Sequence, residues 1–303
     1  MSCLNICFNQ NCTKVADGSQ FKNPVAAQQQ DIWCHLLGWS CQEECKYHCM
    51  WHTVQQFKIY GEKIPKFHGK WPFIRMLGMQ EPASVFASVL NLAANYHMYK
   101  KIRREFPLSQ PYTMPLTMFW HGFALVCMNA WVWSTIFHMR DSPFTEFMDY
   151  ACALSMVMGL FVAAIVRLLY KRTKLTACVL AVPLFYFVTH VRYLHSGLVN
   201  YDYNMRLNVF FGVTGSVIWL CLAYWQFRSG RQYAWRMAAF TVLSGVTLSL
   251  ELLDFPPQYK AWDAHALWHL STAPLPLLFY QYVIEDLRYL HSDELHKSAV
   301  KLT

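Results

Sequence analysis

Apolar residues in this chain are gathered into blocks of roughly 20, separated by short polar connections. The blocks begin after a polar N-terminal segment, residues 1–75. There are seven of them, at about 82–99, 115–138, 149–170, 175–195, 207–227, 237–253 and 262–283. Because about 20 apolar residues in a helix cross the hydrocarbon core of a bilayer, the pattern predicts an all-α integral membrane protein with a seven-transmembrane helix bundle.

The connections between blocks alternate between rich and poor in basic residues. Those after the first, third and fifth blocks are rich, with Lys100, Lys101, Arg103 and Arg104, then Lys171, Arg172 and Lys174, then Arg228, Arg231 and Arg236. Those after the second, fourth and sixth carry few, namely Arg140, Arg206 and Lys260. Since Lys and Arg concentrate on the cytosolic side, we expect a lumenal N-terminus and a cytosolic C-terminus. The expected parts are a lumenal head (1–75), a seven-span membrane domain (76–285) and a short cytosolic tail (286–303).

Composition agrees with a membrane protein and argues against a nucleic-acid partner. Of the 303 residues, 55% are hydrophobic and 15% are charged. The net charge of +8 would suit nucleic acid if the Lys and Arg residues formed one patch, but they fall in short clusters between apolar blocks. We therefore expect no nucleic-acid partner.

The head is rich in cysteine, with seven of the 11 cysteines in the first 49 residues. This density favours disulfides formed in an oxidising lumen, and a zinc cluster in a reducing cytosol is the alternative. Cys41, Cys45 and Cys49 recur at helical spacing, as do Cys3 and Cys7. We expect two short antiparallel helices joined as a ladder. The expected pairs are Cys3 with Cys49, Cys7 with Cys45 and Cys12 with Cys41, which leaves Cys34 free.

Two further features of the head concern its compartment. The sequon Asn11-Cys12-Thr13 suits a lumenal, glycosylated head. Residues 1–10 have neither a basic region nor an apolar core. We expect either that the signal peptide is absent from this version of the chain or that the first span acts as a reverse anchor.

Three histidines are expected at one depth of the membrane, near its lumenal surface. His265 and His269 lie four residues apart at the start of the seventh block, so on a helix they project from one face. His138 ends the second block, with Ser134 one helical turn before it. Catalytic zinc is commonly held by three protein ligands with a fourth position open, and imidazole suits it. His138, His265 and His269 are therefore the expected zinc ligands.

Carboxylates and a hydroxyl near these histidines are further candidates for chemistry. Asp149 opens the third block and could accept a proton from water at the zinc or orient a ligand imidazole; alternatively it only faces the helix dipole. Ser134 could be a nucleophile, an oxyanion donor or a partner of the metal site. Asp254 is expected in a turn, and Asp263 at the cap of the seventh helix.

Other polar residues within the blocks have structural explanations. His121 and His190 are expected to pack between helices, and Arg167 and Arg192 to extend toward the cytosolic and lumenal surfaces. The three histidines also have two alternatives: ordinary interfacial histidines, and haem ligands. Haem ligation requires axial ligands that face each other across a bundle, whereas two of these histidines share a helix.

The ordered motifs of the membrane domain resemble those of a known superfamily. The seven spans, Ser-x-x-x-His at the end of the second, Asp at the start of the third and His-x-x-x-His in the seventh are similar to membrane metal hydrolases that include alkaline ceramidases and adiponectin receptors. The cysteine-rich head and four segments resemble one branch more closely, the GPI-anchor lipid-remodelling phospholipase family of animals and yeast. The segments are 67–73, 81–84, 129–131 and 251–257.

This resemblance implies a phospholipase A2-like enzyme in the Golgi membrane, or in the endoplasmic reticulum. It would remove the unsaturated sn-2 acyl chain from the GPI anchor of a partner protein. His138, His265 and His269 would hold zinc. Asp149 would act on the water, and Ser134 would support the site or the oxyanion. The alternatives are a hydrolase of ceramide or another lipid, and a non-enzymatic seven-span receptor or folding factor for GPI-anchored cargo.

Overall fold

The computed structural model describes residues 3–16, 18–109, 116–197, 199–259 and 261–302, and they are mostly helical. The head contains α1 (Cys3–Asn11), strands β1 (Cys12–Val15) and β2 (Gly18–Phe21), α2 (Pro24–Gln28), α3 (Ile32–Leu36) and α4 (Cys41–Ile59). The rest contains α5 (Pro82–Glu105), α6 (Thr117–Met139), α7 (Pro143–Leu168), α8 (Thr173–His195), α9 (Tyr201–Arg228), a 3₁₀ turn (Gln232–Ala234), α10 (Trp235–Leu253), α11 (Ala264–Thr272) and α12 (Leu275–Leu302). Residue 115, the predicted start of the second block, and Lys260 lie outside the described residues.

Three disulfides join α4 to α1 and to Cys12, the residue that directly follows α1. Helix α4 begins with a capping box between Ser40 and Glu43 and runs alongside α1. The bonds are Cys3–Cys49, Cys7–Cys45 and Cys12–Cys41, and Cys34 is free and buried. The predicted ladder is therefore confirmed. The paired sulfurs also leave no thiolates for the alternative zinc cluster among these six cysteines.

Five helical stretches of the described chain are long and apolar enough to cross a membrane. They are Thr117–Met139, Pro143–Leu168, Thr173–His195, Tyr201–Arg228 and Gln232–Leu253. Several such helices indicate a multi-pass membrane protein. The seventh block is divided between α11 and α12 around Pro274, which has no backbone N–H to continue the helical ladder.

Helix α5 is less apolar than the five candidate spans because one of its faces is polar and buried. Its buried polar residues recur three and four positions apart, at Glu81 just before the helix and then at Ser84, Ser88, Asn91 and Asn95. Phe86, Val89 and Leu90 point outward and are exposed. This inside-out pattern is expected of a helix whose polar residues face the interior of a membrane bundle.

The large helices pack side by side around a common interior. Helix α5 packs against α6, α6 against α7, α7 against α9, α9 against α10, and α10 against α11 and α12, both of which also contact α5. Helix α8 lies outside this arrangement and packs mainly against α7. Trp120 of α6 and Phe279 of α12 are fully or almost fully buried in the main hydrophobic core.

A charged network is buried within this bundle, at the end of α7 far from His138. Arg167 is 5% exposed, and its Nε and Nη2 donate to Asp286 of α12 at 2.5 and 2.8 Å. Gln226 and Tyr233 donate to the same carboxylate at 3.1 and 2.9 Å, and Tyr282 donates to Gln226. We call these five residues the arginine network. The prediction that Arg167 extends to the cytosolic surface is wrong, because α12 supplies a buried carboxylate partner.

Candidate metal centre

The three predicted histidines come together where the ends of α6 and α11 meet. Asp263 caps α11 by accepting a hydrogen bond from the Ala266 amide at 2.8 Å, as predicted, so the helix begins one residue before His265. His138 is the last residue but one of α6. One ring nitrogen from each of His138, His265 and His269 lies within 4.8 Å of the others.

The separation of two ring nitrogens fits a shared metal ion. His138 Nε2 and His265 Nε2 are 3.3 Å apart. Two nitrogen ligands at about 2.0–2.1 Å from a tetrahedral zinc lie about 3.3–3.4 Å from each other. The rings of His269 and Trp131 are nearly perpendicular at a centroid distance of 5.3 Å, and His138 and His269 are 2% and 3% exposed. The residues present therefore fit a closely held ion.

The other nitrogen of each imidazole is held by a separate partner. His138 Nδ1 lies 2.7 Å from Glu81 Oε2, and His265 Nδ1 lies 2.6 Å from Glu251 Oε2. His269 Nδ1 lies 2.9 Å from Ser88 Oγ. A carboxylate or hydroxyl that accepts the Nδ1 proton leaves the Nε2 lone pair free for a metal, and such partners are usual around histidine ligands. The hydrogen bonds at the three Nδ1 atoms thus also fit metal binding through the Nε2 atoms.

Glu81 is further held by a basic residue of the head. Lys70 Nζ lies 3.0 Å from Glu81 Oε1 and 2.9 Å from Asp141 Oδ2. Burial disfavours the charged form of Glu81, but Lys70 and His138 outweigh this and hold its carboxyl pKa below the ordinary value. Burial likewise disfavours the charged form of Lys70, yet the two carboxylates raise its pKa above the usual range. Glu81 is therefore an ionised acceptor for His138.

Asp149 and Ser134, the other two predicted site residues, differ in their surroundings. Helix α7 begins at Pro143, after the Ser142 cap, so Asp149 lies in its second turn and not at its start as predicted. Its carboxylate is within electrostatic range of His138 and His265 and accepts no hydrogen bond from the described residues. Ser134 Oγ is 3.1 Å from Ser88 Oγ and so reaches His269 through Ser88.

Three residues of this cluster were missed as partners of the histidines. Glu81, Ser88 and Glu251 each contact a ring nitrogen, and Tyr201 donates to Glu251 Oε1 at 2.8 Å. Two signals could have found them: the regular polar spacing on α5, which includes Ser88, and a carboxylate inside an apolar block, which is Glu251.

Three further polar residues singled out from the sequence, His121, His190 and Asp254, have structural roles. His121 Nε2 lies 2.9 Å from the Phe106 carbonyl, and His190 Nε2 lies 2.9 Å from Asn204 Oδ1, so both pack between helices as predicted. Asp254 follows the last residue of α10 with a φ of 42°, in keeping with the expected turn. These residues lie outside the group formed by His138, His265 and His269.

Comparison with known proteins gives a consistent result over most of the chain. Residues 32–287 match the model of the Per1-like family. The chain is 42% identical to Post-GPI attachment to proteins factor 3 of Drosophila melanogaster over 284 residues, which cover 93% of this chain and 85% of the relative. It is 39% identical to the protein named GPI-specific phospholipase A2-like PGAP3 in Homo sapiens over 289 residues, 95% of this chain and 87% of the relative. The Xenopus laevis protein of that name is 39% identical over 301 residues, 97% of this chain and 91% of the relative.

Proposed function

This chain belongs to the Per1-like family, and from that premise we propose that it is a zinc-dependent acyl hydrolase of GPI anchors. It removes the unsaturated sn-2 acyl chain from GPI-anchored proteins in the lumenal leaflet. The observation that carries this proposal is the convergence of three imidazoles, two of them with Nε2 atoms 3.3 Å apart, among helices apolar enough for a membrane. The names of the relatives supply the substrate class.

His138, His265 and His269 hold the metal in this proposal. When bound, a zinc ion held by these three imidazoles would supply Lewis-acid chemistry for an ester carbonyl and for a water molecule. Glu81 and Glu251 keep the Nδ1 protons of His138 and His265 in place, so the Nε2 atoms of both rings face the centre without protons. Ser88 does the same for His269.

Asp149 is the residue proposed to accept the proton of the attacking water. Glu81 and Glu251 are already hydrogen-bonded to imidazoles, whereas the Asp149 carboxylate accepts no hydrogen bond from the described residues. A carboxylate with free acceptor capacity near the reacting atoms is suited to general-base catalysis.

Ser134 is proposed to support the site by hydrogen bonding to Ser88, the partner of His269. Its hydroxyl contacts Ser88 Oγ at 3.1 Å, and Ser88 in turn contacts His269 Nδ1 at 2.9 Å. If Ser134 donates to Ser88, the oxygen of Ser88 is better able to accept the imidazole proton. This role rests on the two-step contact from Ser134 through Ser88 to His269.

The proposed membrane arrangement has seven spans, with α5 and the α11–α12 pair added to the five apolar stretches. The Cys-rich head (1–75) and the histidines then lie at the lumenal side of the membrane domain (76–285), and the tail (286–303) is cytosolic. The Golgi membrane is the proposed location. A lumenal head agrees with its three disulfides, which form in oxidising compartments. The ester bonds of a lumenal-leaflet lipid lie near the headgroup boundary, at the depth proposed for the histidines.

The decisive test is release of free fatty acid from a GPI lipid by the detergent-purified full chain. We expect release by the wild type, a loss of about 10²- to 10⁴-fold in Asp149→Asn, and normal activity in Asp202→Asn. Asp202 is a suitable control because it is an exposed carboxylate at the start of α9. Parallel assays on ceramide and on ordinary phospholipids separate the GPI substrate from other lipids. A folded, zinc-loaded protein that releases fatty acid from none of them would contradict the proposal and favour a receptor or folding factor.

A further inference from the structure

A short turn at the end of the head contacts two segments of the metal centre, the one that carries Glu81 and the end of α10 that carries Glu251. Phe67 and Lys70 form an antiparallel bridge, with hydrogen bonds of 2.7 and 3.1 Å in the two directions. The two residues between them, His68 and Gly69, have φ values of 52° and 85°. Positive φ at both central residues is typical of a tight two-residue hairpin, which brings its flanking side chains together. We call residues 66–71 the 66–71 turn.

The first contact of the 66–71 turn is made by Lys70. Its ammonium lies 3.0 Å from Glu81 Oε1 and 4.1 Å from the centroid of the Phe137 ring. The other oxygen of Glu81 lies 2.7 Å from His138 Nδ1. The two oxygens of one buried carboxylate are thus divided between the turn and a metal-binding imidazole. Without Lys70, the Glu81 carboxylate would lose its strongest restraint on the side away from His138.

The second contact is made by Lys66 and Trp71. Both donate to Asp254, Lys66 to Oδ2 and Trp71 Nε1 to Oδ1 at 3.1 Å. Asp254 directly follows α10 and lies three residues after Glu251, whose Oε2 is 2.6 Å from His265 Nδ1. The end of α10 that presents Glu251 is therefore tied to the same turn that holds Glu81.

We propose that the 66–71 turn is a positioning element of the metal centre, which sets the orientation of His138 through Lys70 and Glu81 and that of His265 through Asp254 and the end of α10. This inference rests on the proposed metal centre and assigns to the head a part in building it. Lys66, Lys70 and Trp71 are positioning residues, since none of them contacts a histidine ring.

The test compares three full-length proteins in detergent: wild type, Lys70→Met and Lys63→Met. Lys63 is an exposed lysine seven residues earlier and has no partner among the described residues, so it is the matched control. Zinc affinity is measured by competition with a chelator, and the site geometry by the ligand-field absorption of bound Co²⁺. Loss of a partner behind a histidine ligand typically weakens metal binding by roughly 10- to 100-fold.

We expect Lys70→Met to weaken zinc binding about tenfold and to shift the Co²⁺ spectrum, because its effect passes through Glu81. Lys63→Met should change neither the zinc affinity nor the Co²⁺ spectrum. Lys70→Arg should retain most of the zinc affinity because it keeps the positive charge. Asp254→Asn, which removes a charge but tolerates the left-handed backbone, should cause a smaller loss. Equal zinc affinity and an identical spectrum in wild type and Lys70→Met would overturn the proposal.

A second measurement does not need the metal. In a double-mutant cycle on metal-free protein, the shift in thermal midpoint caused by Lys70→Met is compared in the wild-type and His138→Ala backgrounds. We expect different shifts, because Lys70 and His138 act on one carboxylate, whereas identical shifts would overturn the proposal. A wild type that binds no metal but shows this coupling would refute the proposed hydrolase and leave the positioning contact standing.

Discussion

Two buried polar clusters lie at opposite ends of the bundle, and they differ in whether they are complete. In the arginine network, Asp286 accepts four hydrogen bonds from Arg167, Gln226 and Tyr233. In the histidine cluster, formed by His138, His265 and His269, the Nε2 atoms of His138 and His265 are 3.3 Å apart. The Nδ1 atoms of these two rings are hydrogen-bonded to the carboxylates of Glu81 and Glu251. Buried polar groups are normally satisfied within the protein. The first cluster is therefore satisfied within the protein, whereas the second offers the three imidazoles that we propose as ligands of a metal ion.

The largest expected difference between the clusters is in metal content. We expect His265→Ala to lower bound zinc from about one ion per chain to none, because three ligands are the usual minimum set. Atomic absorption on the detergent-purified protein measures this. His97→Ala, which removes an exposed imidazole from α5, should retain the metal. Retention of one zinc in both variants would mean that the ion is held elsewhere.

The next largest effect should be on stability, at the other cluster. Arg167→Met leaves the buried Asp286 without its cation, which typically costs about 3–5 kcal/mol in the free energy of unfolding. We expect a strongly lowered thermal midpoint with zinc affinity unchanged in the folded fraction. Adding Asp286→Asn should recover part of the loss, because the uncompensated charge is then gone. A variant that keeps its stability but loses zinc would reverse the assignment of the two clusters.

A smaller effect is expected from the partners of the histidines. Glu251→Gln keeps the size of the side chain but weakens the hold on His265 Nδ1, so zinc affinity should fall by roughly 10- to 100-fold. Chelator competition measures this change. Glu285→Gln, at a partly exposed ion pair with Arg236, should leave zinc affinity unaltered. Equal losses in the two variants would show a general effect of removing a carboxylate.

The smallest effect is expected from a single hydroxyl on α5. Ser88→Ala removes the partner of His269 Nδ1, and the loss of one hydrogen bond of about 1 kcal/mol corresponds to roughly fivefold weaker zinc binding. Ser84→Ala is a closely matched control, since Ser84 is buried one turn earlier and its hydroxyl has no partner among the described residues. The Ser88→Ala and Ser84→Ala variants should therefore differ in zinc affinity, and identical affinities would argue against a role for Ser88.

Features that depend on spacing within one helix could be predicted from the sequence. The bonds Cys3–Cys49 and Cys7–Cys45 follow from cysteines four residues apart on α1 and α4, and His265 and His269 share a face of α11 because of the same spacing. His138 could be added because both helix ends were expected at one depth. Spacing along one helix decides which of its side chains share a face, whereas His138 needed the predicted orientation of the helices as well.

Features that depend on the packing of separate helices could not be predicted. Glu81 and Ser88 reach the histidines because α5 packs between α6 and α11, an arrangement that no local pattern specifies. The sequence places Arg167 at the surface because its partner, Asp286, lies beyond the last apolar block, in the predicted tail. Helix α12 in fact continues through this position to Leu302. Helix α5, predicted as the first span, is not among the five long apolar stretches, because it combines a polar inner face with an apolar outer face.

The three disulfides of the head are nested, and this gives their formation a natural order. The sequence separations fall from 46 for Cys3–Cys49 to 38 for Cys7–Cys45 and 29 for Cys12–Cys41, each loop lying inside the one before. The innermost bond closes the shortest loop and so has the smallest entropic cost of closure. Once it forms, the next pair is separated by only a few residues on each side. Oxidative folding of the head should therefore proceed outward from Cys12–Cys41, and a chain that lacks this bond should accumulate mispaired isomers of the other four cysteines.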